Sequence, residues 1–176
     1  MTPPAASGTL QDSAEAELER LAEVMSEYLL AKANQAGTIF IKDYTPHTYN
    51  GKFFDLKSAN VQVEFSNITA AEPTEPHGNQ GFIVKFAEPV DFTYSPPGAT
   101  PHTLSLTEAQ VQLGDFTTDG TAKLVAADSP LVRAGWNYFL IHGDGSKGVH
   151  NPSFTFSAVD SARAALEEAL QVEIPD

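Results

Sequence analysis

Histidine is the side chain here best suited to chemistry near neutral pH, because its imidazole can ligate metals or haem iron and can move protons. The chain carries five: His47, His77, His102, His142 and His150. No two are three or four residues apart, the spacing that sets two ligands on one face of a helix. A metal site would need loops to gather them, with Asp43, Glu75 or Asp144 adding oxygen ligands. His142 and His150 bracket a short loop, Asp144-Gly145-Ser146-Lys147-Gly148, that runs into Asn151-Pro152. Gly145 and Gly148 permit the backbone angles of a tight corner. Asp144 and Ser146 can bond the free amides of that corner, and Asn151 followed by Pro152 can start a helix. These six residues form a structural turn whether or not the histidines do anything more.

Other reaction types find little support. The chain has no cysteine, which excludes disulfides, thiolate zinc sites, iron–sulfur clusters, a cysteine nucleophile and covalent haem attachment. No G-x-S-x-G elbow and no glycine-rich phosphate loop occurs. The many carboxylates show no spacing that marks a glycosidase pair. The reading is therefore not an enzyme. A second cluster, Tyr44, His47, Tyr49, Asn50, Gly51, Phe53 and Phe54, reads either as a ligand-binding loop on a β scaffold or as anchoring for an irregular segment.

The elements that must position these residues follow from pattern. Residues 1–8 read as a flexible lead. Thr9 then caps a helix over 9–36, with Leu18, Leu21, Met25, Tyr28 and Leu29 at helical spacing and glutamates opposite on a solvated face. Residues 38–125 are rich in Thr, Val and Phe. Short strands are expected at Thr38–Ile41, Asn60–Phe65, Gly81–Phe86, Val90–Tyr94 and Ala109–Leu113, with a hairpin turn at Ala87-Glu88-Pro89. Loops are expected at 70–80, 95–101 and 115–120. Ser129 and Pro130 open a second helix carrying Val132, Trp136, Phe139 and Leu140, and Asn151-Pro152 opens a third. The result is an α+β chain: helix 9–36, an antiparallel β-rich insertion between the first and second helices, and a helical hairpin over 129–172. A length of 176 residues suits a single domain over 9–176.

The stretch from Ala134-Gly135-Trp136-Asn137-Tyr138 through Asp144-Gly145-Ser146-Lys147-Gly148-Val149-His150-Asn151-Pro152 resembles the C-terminal helical region of multihaem c-type cytochromes. In that family a helix with an Asn-aromatic pair leads into a D-x-S-x-G-x-H-N-P loop and a last helix rich in Ala and Leu. The match covers about residues 128–170; the first helix fits more loosely and the β-rich middle has no counterpart. The resemblance implies a three-helix cytochrome-like core and makes His150, with His142 second, a haem ligand or haem contact. With no attachment cysteine, that haem would come from a partner; His150 could instead brace the turn or join a metal site. The implied function is a haem-free scaffold or docking domain of an electron-transfer system, periplasmic or extracellular, although a chain without cysteine is equally stable in the cytoplasm. Residues 1–8 show no secretory signal, so an exported chain would have lost it. The alternative is a β-rich small-ligand or carbohydrate-binding module built on Tyr44–Phe54 and the Pro-rich loops.

Charge bears on partners. A net charge of -13 repels nucleic acid and anionic lipid and suits a multihaem cytochrome or other redox protein with a basic patch. No apolar run approaches the roughly 20 residues of a membrane helix, so no membrane insertion is expected. The leucine and methionine stripe of the first helix also allows oligomer formation.

Overall fold

The computed structural model describes residues 6–56, 61–75, 80–95, 98, 100–146 and 148–173. It is mixed helix and sheet, with three α-helices and small antiparallel sheets. The first helix, α1 (Ala6–Ala36), is the spine. It begins at Ala6, so residues 6–8 are helical and Thr9 lies inside the helix instead of capping it. Leu18, Leu21, Met25, Tyr28 and Leu29 are all buried, as their spacing requires. Gly37 ends the helix with φ 74, and its amide bonds the carbonyls of Ala33 and Asn34.

Among the described residues, seven strands follow before the second helix: β1 (Thr38–Ile41), β2 (Pro46–Tyr49), β3 (Lys52–Asp55), β4 (Val61–Glu64), β5 (Ile68–Pro73), β6 (Phe82–Tyr94) and β7 (His102–Val111). They pair antiparallel as β1–β4, β2–β3 and β5–β6–β7. Phe40 and Thr117 exchange backbone bonds of 2.8 and 2.9 Å on the second edge of β1. β1 and β4 alternate as expected, with Ile39, Ile41 and Val63 buried. Asn60, the expected start of that strand, lies outside the described residues, as do His77, Pro76, Gly78, Pro96, Pro97 and Lys147.

Several expectations in the β region are corrected. Ala87-Glu88-Pro89 is not a hairpin turn; it sits within the single long strand β6. Pairing with β7 passes from Lys85↔Glu108 to Val90↔Leu106, so extra residues bulge out and Pro89, which has no amide to give, needs no partner there. The Asn67 side chain stands in for a strand, donating to Glu88 O (2.9 Å) and accepting from Glu88 N (2.7 Å). Residues 70–73 are the end of β5 instead of loop. β7 starts at His102 instead of Ala109, and Leu113 belongs to a short 3-10 turn. The segment 46–55 is a hairpin, whose turn is Asn50 (φ 50) and Gly51 (φ 72), the pair that left-handed turns favour.

The second and third helices are α2 (Pro130–Gly143) and α3 (Pro152–Glu173). Both start as their sequences require. Ser129 Oγ accepts from Val132 N (3.3 Å), and Asn151 Oδ1 accepts from Phe154 N (3.2 Å). The three helices pack on one another and α1 also packs on β5. One core joins both halves: Met25, Leu131, Ala134 and Leu166 among the helices, with Ile39, Phe82, Val84 and Phe116 from the strands.

Candidate functional site

The α2–α3 corner is built by backbone geometry. Gly145 and Gly148 have φ 63 and 82. A Cβ at Gly148 would lie 2.5 Å from Thr155 Oγ1 and 2.7 Å from its Cβ, so the corner closes only with glycine there. Thr155 is itself buried, and its hydroxyl donates to Asn151 O at 3.2 Å. Ser146 N bonds Asp144 O, Val149 N bonds Ser146 O, and Asn151 N bonds Gly148 O. The Ser146 hydroxyl also bonds the Asp144 carboxylate. Asp144, Gly145, Ser146, Gly148, Asn151 and Pro152 thus come together in one turn.

The two histidines of this region part company. His150 is exposed in the turn, with no hydrogen bond to its ring among the described residues. His142 is in the last turn of α2, 5.4 Å from the Tyr138 ring. It faces α1 across a cleft lined by Glu15, Leu18, Glu19, Tyr138 and His142, with a volume of about 230 Å3. His142 Nδ1 is buried and has no hydrogen-bond partner among the described residues. Burial first, then the Glu75 and Glu19 carboxylates, holds the Tyr138 hydroxyl above the usual tyrosine range. Tyr138, Glu15 and Glu19 escaped the sequence reading, which took the glutamates for a plain solvated face. Their four-residue spacing was the available signal.

The outer face of the same helix is apolar. Trp136 is 71% exposed and Leu140 62%, one turn apart, and Phe154 at the start of α3 is 53% exposed. Arg133, one turn before Trp136, is held by the carbonyl of Asp128. At the far half of α1 an open apolar groove runs between Leu30, Ala31 and Leu170.

The hairpin aromatics are spoken for, with one exception. Phe54 stacks on Tyr94 at 4.0 Å, and Tyr49 lies against His102 at 5.0 Å. The hairpin therefore covers Tyr94 and His102 at the ends of β6 and β7. Only Phe53, 82% exposed, projects away. Asp43, weighed above as a metal ligand, is fully buried. Its Oδ1 accepts from Thr45 N and Gln110 N, each at 2.9 Å, and its Oδ2 lies 2.6 Å from His47 Nε2. It ties the start of the hairpin to β7. No group of three or more His, Asp or Glu side chains among the described residues is arranged to hold a metal. No described helix is long and apolar enough to cross a membrane.

Compared with family models, curated proteins and solved structures, the chain matches none of them.

Proposed function

We propose that this protein is a haem-free, non-enzymatic docking domain of an extracytoplasmic electron-transfer system, related to the C-terminal helices of multihaem cytochromes. The observation that carries the reading is the apolar face of α2. Trp136 and Leu140 stand in water one turn apart, with exposed Phe154 just past the corner. Large apolar side chains left exposed on one helix face favour an interface, where burying each is worth about 1.5–3 kcal/mol. Exposed His150 occupies the corner between those two helices, where a partner's haem edge would approach. The partner is a haem protein with a basic rim, because charge of -13 draws such a surface in and repels an acidic one.

Trp136 is the sole tryptophan, so docking can be read directly. Titration with a basic monohaem cytochrome c, used as the probe, is expected to quench Trp136 emission saturably by energy transfer to the haem. Raised salt should weaken that binding, and Leu140→Ser should weaken it by about tenfold, the equivalent of one lost apolar anchor. Absence of saturable quenching, or quenching indifferent to both salt and Leu140→Ser, would overturn the reading.

A further inference from the structure

The cleft between α1 and α2 has a use that does not depend on docking. We propose that it binds an alkylammonium group, held by Glu15, Glu19, Tyr138 and the ring nitrogen of His142. Glu15 and Glu19 stand one turn apart on α1, and Tyr138 and His142 one turn apart on α2. Two carboxylates alone would be only an acidic face. Here they stand over two polar groups, His142 Nδ1 and the Tyr138 hydroxyl, with no hydrogen-bond partner among the described residues. His142 Nδ1 is buried without a hydrogen bond among the described residues. Tyr138 is 9% exposed, and its hydroxyl has no hydrogen-bond partner among the described residues. Buried polar atoms are rarely left unpaired, so His142 Nδ1 points to an occupant that supplies the missing bond, and the Tyr138 side chain lines the same cleft beside it.

The lining defines that occupant. Carboxylates only accept hydrogen bonds, and a neutral imidazole nitrogen or a phenol oxygen can also accept. An ammonium has three donors, no acceptor and a positive charge, so it can bond His142 Nδ1, the Tyr138 oxygen and one carboxylate while its charge favours the other. Leu18 gives the carbon chain an apolar floor. The volume of about 230 Å3 falls below the roughly 300–1,000 Å3 of sites for drug-sized ligands. It suits a short amine or one lysine side chain and is too small for a haem. A divalent metal is disfavoured because no three ligating side chains converge among the described residues.

The test is an NMR titration of the intact protein, following the His142 and Tyr138 ring signals. The probes are n-butylammonium, its neutral analogue n-butanol, calcium, zinc, and a capped Gly-Lys-Gly peptide. Saturable shifts with n-butylammonium but not n-butanol are expected. Glu19→Gln, a change on the exposed surface of α1, should weaken the affinity about tenfold, one charge-assisted bond's worth. Tyr138→Phe should weaken it less. Tighter binding of the peptide would assign the cleft to a partner's lysine, and tighter binding of the free amine to a small molecule. Equal response to n-butanol, no response to either amine, or saturation by calcium or zinc alone would overturn the proposal. So would an affinity unchanged by Glu19→Gln.

Discussion

Asp43 shows how one residue can settle where a hairpin sits. A carboxylate taken fully out of water is tolerated only when its oxygens are bonded, and Asp43 has Thr45 N, Gln110 N and the His47 ring around it. Asp43→Ala would leave the Gln110 amide and the imidazole without that partner. Removal of one member of a buried polar set costs roughly 3 kcal/mol. In a chain of this size that lowers the melting temperature by about 9 °C. Asp43→Asn keeps an acceptor for the two amides and should lose less. Calorimetry of the two variants checks the order; equal losses would mean that volume, and not hydrogen bonding, matters at this position. The pairing was not legible beforehand. Asp43 and His47 are close in sequence, but Gln110 is far away, and only the fold brings β7 to the carboxylate.

At the scale of elements, the helices and the β region differ in how openly their sequences speak. Ser129-Pro130 and Asn151-Pro152 fix two helix starts by local bonds alone. The corner between them depends on Gly148, with φ 82 and Thr155 hard against it. Gly148→Ala must bear both a left-handed backbone and a clash, about 3 kcal/mol together. Gly145, which has open space around it, should lose only the backbone part on the same change. Urea unfolding of the two variants tests this, and an equal effect at both positions would exclude the contact with Thr155. The strands were harder to read. Asn50-Gly51 was a readable hairpin turn, yet the aromatics around it suggested a loop. Ala87-Glu88-Pro89 looked like a turn because proline usually interrupts pairing, but the Asn67 side chain supplies the bonds that keep β6 continuous.

For the whole molecule, charge acts on folding and on association in opposite directions. A net charge of -13 is self-repulsive, and counterions screen it over about 8 Å at physiological ionic strength. The melting temperature should therefore rise between low salt and 0.15 M salt (the screening regime of that length), while affinity for a basic partner falls. Thermal unfolding across that range checks the first part; a flat or falling trend would mean that local ion pairs such as Arg163 with Asp160 and Glu167 outweigh the general repulsion. The sequence by itself determined the α+β class, three amphipathic or capped helices, the first strand and the glycine corner, because these depend on residues within a few positions of one another. It also ruled out thiol chemistry outright. Tertiary structure alone decided that Trp136 and Leu140 face water, since periodicity marks an apolar stripe but not whether a neighbour covers it. It alone set Glu15 and Glu19 over Tyr138 and His142, because that cleft exists only where two helices more than a hundred residues apart in the chain cross.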